Sequence, residues 1–155
     1  MNQPTINVYE LLLVPIGEKL RNDERFADVR SIIYDNDDPI PMSQMPCIEY
    51  YVESPWEDLA RGSGSYSLQT RALTARVVFT LWIYDADSKQ RMDEALFFLG
   101  GHLLDFVRDW TDMGTGVGLG QAGIIWTVRR PESDSGYVGY HSITAEYVIY
   151  SGIGK

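Results

Sequence analysis

The sequence is poor in the residues that carry most chemistry. It has one cysteine, Cys47, and two histidines, His102 and His141. A single cysteine excludes an internal disulfide, and nothing else in the composition demands an oxidising compartment. Two histidines and one cysteine are too few for a typical structural zinc site. No G-x-S-x-G is present, so a nucleophile elbow has no support. Positive charge is scarce as well. Thirteen Lys and Arg stand against 22 Asp and Glu, a net charge of −9. A conventional nucleic-acid reader needs a basic face to neutralise phosphates. The charge excludes that class, but not a protein that nucleic acid slides past. Long hydrophobic runs are missing too. Leu11–Ile16 is short and lies between Glu10 and Glu18, whereas a membrane span needs about 20 apolar residues. The opening Met1-Asn2-Gln3-Pro4-Thr5 has no cationic region. These features predict no signal peptide, no membrane span and a cytosolic chain.

What is present is an ordinary globular balance, 45% apolar and 23% charged over 155 residues. That length fits a single domain, 1–155, able to bury about 70% of its unfolded surface without a staple. No internal repeat or domain boundary is visible. Val8, Leu11, Leu12, Ile16 and Leu20 fall at helical spacing and predict a helix over Thr5–Leu20, with Thr5 as N-cap. Pro15 should kink or split it. Val29–Tyr34 reads as a short strand, ended by the turn chemistry of Asp35-Asn36-Asp37-Asp38-Pro39. Cys47–Glu53 reads as a second strand, fenced by Pro46 and Pro55. Residues 55–69, with Arg61-Gly62-Ser63-Gly64-Ser65, read as a flexible loop.

Thr70–Tyr84 is the clearest element. Leu73, Ala75, Val77, Phe79, Leu81 and Ile83 line one face and Thr74, Arg76, Val78, Thr80, Trp82 and Tyr84 the other. Ser88–Trp110 reads as a helix capped by Ser88, its stripe made of Met92, Leu96, Leu99, Leu103, Phe106 and Trp110. Gly100-Gly101 interrupts that stripe; close packing against a sheet is the expected reason, with a bend as the alternative. Residues 111–123 read as a glycine-rich loop, Ile124–Arg130 as a strand, and Tyr137–Tyr150 as a second long strand. The fold class is α+β, in the order α-β-β-β-α-β-β. It predicts a mixed, mainly antiparallel sheet with long hairpin strands and two helices packed on one face.

The chemical motifs are weak in context. Gly118-Leu119-Gly120-Gln121-Ala122-Gly123 fits G-x-G-x-x-G, but a helix precedes it and a strand follows, the reverse of a dinucleotide site. Asp35-Asn36-Asp37-Asp38 lacks the glycine and glutamate that an EF-hand loop requires, so a solvated acidic turn is expected. Asp85, Asp87 and Lys89 have the composition of a metal-nuclease site, yet all three sit in one strand-to-helix turn. Asp87 there suits the helix dipole. His102, His141 and Cys47 read as packed residues rather than catalysts. No catalytic, metal or cofactor site is predicted, and the chain is expected not to be an enzyme.

The aromatics Tyr50, Tyr51, Trp82, Tyr84, Trp126, Tyr137, Tyr140, Tyr147 and Tyr150 all fall on predicted strands. They serve either cross-strand packing or a partner on the sheet face away from the helices. The two long strands exceed a body only about 30 Å across. Strands that overhang a core are association surfaces, so an oligomer is expected.

The layout resembles the tail terminator (tail completion) proteins of long-tailed bacteriophages such as lambda and T5. The likeness lies in the N-terminal helix, the paired prolines of Pro39-Ile40-Pro41 and Met45-Pro46-Cys47-Ile48, the long loop into Leu73–Tyr84, the single long helix and the closing hairpin. It covers nearly the whole chain and has no diagnostic short motif. It implies a structural virion protein made in the host cytoplasm. Such a protein forms a homo-oligomeric ring, a hexamer, on the tail tube protein, stops tube growth and offers a surface to the head–tail connector. DNA passes without sequence-specific binding, and no cofactor or membrane is involved. The residues assigned to these tasks come from their chemistry. Arg61, Tyr66, Arg71, Arg76, Trp82, Arg129 and Arg130 are candidates for subunit or tube contacts, since an arginine fork suits carboxylates. Asp35, Asp37, Asp38, Glu49 and Glu53 are candidates for a bore-lining acidic face. The rivals are another connector or tube subunit, and a small α+β ligand-binding or enzymatic domain with a pocket by His102 or Asp85.

Overall fold

The computed structural model describes residues 7–59, 70–109, 117–119, 125–129 and 136–152. The chain begins in a π-helical turn, Tyr9–Leu13, that runs into helix α1, Val14–Asn22. Pro15 lies at the junction with α1, where it has no N–H to give the preceding turn. Its ring would press on the Leu11 carbonyl four residues back. The wide turn there, with Val14 N–H donating to the Tyr9 carbonyl, relieves that clash. Proline has thus widened the helix rather than broken it. The expected Thr5 cap lies outside the described residues.

Strand β1 is Ser31–Tyr34, β2 Cys47–Leu59 and β3 Thr70–Asp85. Helix α2, Lys89–Asp109, follows, and then β4 Val117–Leu119, β5 Ile125–Arg129 and β6 Tyr137–Gly152. The fold is α+β. Among the described residues one six-stranded mixed sheet runs in the order β1-β2-β3-β6-β4, with β5 also on β6. Only β1–β2 is parallel. A parallel link needs about a dozen residues of crossover. The acidic turn and a 3₁₀ turn at Met42–Gln44 supply it.

Two sequence boundaries move. Pro55 does not end β2, which stays paired with β3 as far as Leu59 opposite Arg71. β1 covers β2 only up to Tyr50, so among the described residues Pro55 has no ladder partner on that side, and proline is tolerated on such an edge. A register shift between Val52 and Ser54 makes Glu53 the extra residue of a bulge. Likewise, Val117–Leu119 within the expected glycine-rich loop is a strand opposite Tyr147–Ile149. β4 and β5 lie end to end along one edge of β6.

The register explains the core. Tyr50, Phe79 and Ile143 share one row across β2, β3 and β6, and Ile48, Leu81 and His141 share another. All six are buried, and α1 and α2 cover this face through Leu12, Ile16, Leu20, Met92, Leu96, Leu103 and Phe106. Both helices therefore lie on one side of the sheet, as the alternation predicts. Phe106 joins the elements through edge-on ring contacts with Phe79 and Phe26. Gly100 meets the His141 ring, and Gly139 passes beneath Met92 and Leu96. Close packing therefore accounts for Gly100. It does not account for Gly101, which has nothing within 4 Å of where a Cβ would stand.

β3 and β6 are paired over their full lengths, from Thr70–Gly152 to Asp85–Tyr137. At about 3.3 Å per residue the ladder is roughly 50 Å long. The 21-residue α2 spans only about 30 Å.

Candidate subunit interface and acidic face

The strand face away from the helices carries Thr74, Arg76, Val78, Thr80 and Trp82 of β3. Arg76 stands opposite Glu146 on β6 and donates to its carboxylate at 3.2 Å. The pair is half-exposed, so it adds at most about 1 kcal/mol. Arg76 thus ties two strands of its own sheet, whatever else it meets. Trp82 stacks on Tyr140 across the same ladder, with ring centroids 4.7 Å apart and planes tilted by 41°. The Trp82 Nε1–H is buried and has no acceptor among the described residues. Tyr50 and Tyr147 by contrast belong to the core, so the strand aromatics divide between the two sheet faces; on the face away from the helices Thr74, Val78 and Thr80 are buried as well.

Arg71 and Arg129 are placed through their backbone. Arg71 stands opposite Leu59 and Ser151, and Arg129 opposite Tyr140. Arg129 therefore extends the row of Cys47, Trp82 and Tyr140. Arg61, Tyr66 and Arg130 lie outside the described residues, as does most of the loop that was expected at 55–69.

The acidic residues converge at the β1–β2 end. Asp35 takes a left-handed backbone, φ 44, and donates its N–H to the Tyr50 carbonyl at 3.0 Å, closing β1 onto β2. The next N–H, of Asn36, donates to Glu49 Oε2 at 3.1 Å. Asn36 also holds the turn through both its side-chain amide and its side-chain oxygen, each bonded to the Asp38 backbone. Asp35, Asp37 and Asp38 are exposed. Tyr51 lies among these groups. Burial first, then the charges of Glu49, Glu53 and Asp35, push its hydroxyl pKa up. Four of the five acidic candidates, Asp35, Asp37, Asp38 and Glu49, therefore gather at one corner, and Glu53 joins them at the bulge. Sequence reasoning missed Tyr51 as their centre. Its place two residues from both Glu49 and Glu53 was the available signal.

The rival enzymatic residues do not converge. Asp85 accepts N–H bonds from Asp87 and Ser88 and both donors of the Arg91 fork. Arg91 above all, with the two backbone donors, holds its carboxyl down at about 2. Ser88 caps α2 by accepting from Arg91 N–H at 3.1 Å. Asp85 is thus a helix-start anchor. His102 lies 14 residues beyond Ser88, roughly 20 Å along the helix, edge-on to Phe98. A separate open cavity of about 320 Å³ lies between α1 and the end of α2, lined by Lys19, Asn22, Asp23, Arg25, Phe106 and Asp109. Three of its four charged residues are paired with one another. Arg25 holds Asp23 at 2.7 Å and Asp109 at 3.2 Å. Cys47 is fully buried, and burial raises its thiol pKa.

Among the described residues no group of His, Cys, Asp and Glu is arranged to hold a metal, and no helix is long and apolar enough to cross a membrane. No protein-family model matches the chain, and no curated protein does either.

Proposed function

We propose that the chain is a structural protein of a long-tailed bacteriophage that caps the tail tube as a homo-oligomeric ring, a hexamer. It stops tube polymerisation and offers a surface to the head–tail connector. In this reading it has no enzymatic activity, works in the virion tail, and is made in the host cytoplasm. The observation that carries the reading is the full-length β3–β6 ladder, roughly 20 Å longer than α2. Strands this long are association surfaces, and a ring of copies provides the neighbours. The acidic corner around Tyr51 supports a second part. Carboxylates turned to a bore would repel DNA phosphates and let the genome slide. The Arg76–Glu146 pair and the Trp82–Tyr140 stack sit on the sheet face that a neighbouring copy would meet.

The test mixes the purified protein with growing tail tubes and follows tube length and head joining by electron microscopy. Tubes that stop at uniform length under rings of six copies support the reading. Tubes that grow and join heads equally well without the protein sink it. Filaments formed by the protein alone would make it a tube subunit instead.

A further inference from the structure

Two adjacent phenylalanines stand on the solvent side of α2. Phe97 is 51% exposed and Phe98 67%. Single exposed apolar residues are ordinary, but paired exposed rings mark contact surfaces. Neither belongs to the core stripe of the helix. Phe97 leans edge-on against His141, with centroids 5.2 Å apart, and Phe98 against His102 at 4.5 Å. The two rings are thereby held on either side of the helix ridge. Between them and one turn on lies Gly101, which has open space where a side chain would be. The result is an open stretch of helix surface, here termed the notch, with a bare backbone position flanked by two exposed rings.

Carboxylates bracket the notch. Glu94, one turn before, is exposed and accepts from Gln90 at 3.1 Å. Asp105, one turn after Gly101, is exposed too. At 1.5 Å per residue the two lie roughly 16 Å apart along the helix. On an ideal helix both fall within about 40° of Gly101. Phe97 also borders a shallow groove with Lys89, Gln90, Asp93 and Glu94.

We propose that this notch docks a basic, amphipathic segment of a partner protein. One large apolar side chain of that segment seats over Gly101 between Phe97 and Phe98, and Lys or Arg on either side reach Glu94 and Asp105. Charge decides against a second copy of this chain. Packing α2 antiparallel on α2 of another copy about Leu99 and Gly100 sets each Glu94 beside the other copy's Asp105. Packing it parallel sets like beside like. Either arrangement opposes carboxylates, whereas a cationic partner satisfies both ends. The proposal stands apart from the ring reading, because it needs no particular oligomer.

The test uses the full chain and a labelled synthetic helical peptide with leucines on one face and lysines at the Glu94–Asp105 spacing, read by fluorescence anisotropy. A control peptide carries glutamates instead. The lysine peptide should bind the wild type, and the glutamate peptide should not. Phe98→Ser and Gly101→Leu should each weaken binding about tenfold, as loss of a central anchor does. Both variants should melt within the scatter of the wild type or above it, since neither site packs against the core. The double variant Glu94→Lys/Asp105→Lys should exchange the preference and take the glutamate peptide. Equal binding by Gly101→Leu, or equal binding of both peptides, overturns the proposal. So does a dimer in sedimentation that Phe98→Ser abolishes, which makes a second copy the occupant. Binding of phosphatidylcholine vesicles in preference to the peptide makes it a lipid surface and overturns it equally.

Discussion

Gly100 and Gly101 offer a controlled comparison, because neighbours of the same type meet opposite surroundings. Alanine at either position gains about 1 kcal/mol of helix propensity over glycine. At Gly101 nothing opposes that gain, since no atom lies within 4 Å of the new methyl. Gly101→Ala should therefore stabilise by about 1 kcal/mol, raising Tm by roughly 2–4 °C in a chain of this size. At Gly100 the methyl lands on the His141 ring. That ring is fully buried, and Phe97 lies edge-on beside it. It has no solvent to retreat into, so the overlap must be relieved by separating α2 from β6. Overpacking of this kind costs about 1–3 kcal/mol. The upper end applies where the obstructing group is an enclosed ring. After the propensity gain the net loss is about 2 kcal/mol, a Tm lower by roughly 4–8 °C. The assay is thermal unfolding by circular dichroism on the two single variants, on His141→Ala and on Gly100→Ala/His141→Ala. Truncating His141 makes room, so the double variant should lose less than the two singles combined, with a coupling of at least about 1 kcal/mol. Two results would refute the reasoning: equal stabilisation by both alanines, or strict additivity of the double variant.

Two shorter predictions follow. Asp85 has its folded pKa lowered to about 2 by Arg91 and the turn N–H groups, below the ordinary carboxylate value of about 4. Its stabilisation is therefore present above about pH 4 and is lost as pH falls towards 2. The Tm gap between wild type and Asp85→Asn should be widest above pH 4.5 and shrink as pH falls through about 2; a gap constant across that range contradicts the assignment. The Cys47 thiol is buried at the foot of β2 and its pKa is raised, so thiolate reagents should modify it only at the rate of unfolding. Rapid labelling of the native protein at neutral pH would show the β1–β2 corner open.

The strongest parts of the fold were legible because they repeat. The twofold alternation of β3 put Ala75, Val77, Phe79, Leu81 and Ile83 on one face, and all five are in the core; the stripe from Met92 to Phe106 gave α2. Elements that depend on what lies beside them were not legible. Pro55 reads as a stop unless it is known that β1 leaves that edge of β2 uncovered. Val117–Leu119 is too short and glycine-rich to register, and it is a strand only because β6 is long enough to carry β4 and β5 in series. The parallel β1–β2 pair hides in a crossover at the lower limit of length. Of the candidate site, the acidic corner could be read in part, because Asp35, Asp37 and Asp38 are contiguous. That Glu49 and Glu53 join them around Tyr51 needed the pairing register. Phe97 and Phe98 could have been found from sequence alone, since neither fits the stripe that buries α2.

The distribution of charge separates what holds the chain together from what it presents. The net charge is −9, yet it is not spread evenly. Arg25 is bound between Asp23 and Asp109, Arg91 is bound to Asp85 and Asp87, and Arg76 to Glu146. In each case the cation bridges elements that packing already brings together: the turn after α1 to the end of α2, the end of β3 to the start of α2, and β3 to β6. Those carboxylates are largely neutralised before any partner arrives. The acidic corner differs. Asp35, Glu49 and Glu53 are close enough to raise the Tyr51 pKa together, and the bonds that shape the corner come from backbone N–H groups and Asn36, which carry no charge. Its field therefore reaches outward, with a range of about 8–10 Å at physiological salt. A basic protein surface or a passing phosphate backbone would meet that field, in the one case attractively and in the other repulsively. The fold keeps this corner at the β1 end of the sheet and the Phe97–Phe98 notch on the outer side of α2. The chain thus presents two chemically different surfaces on separate elements.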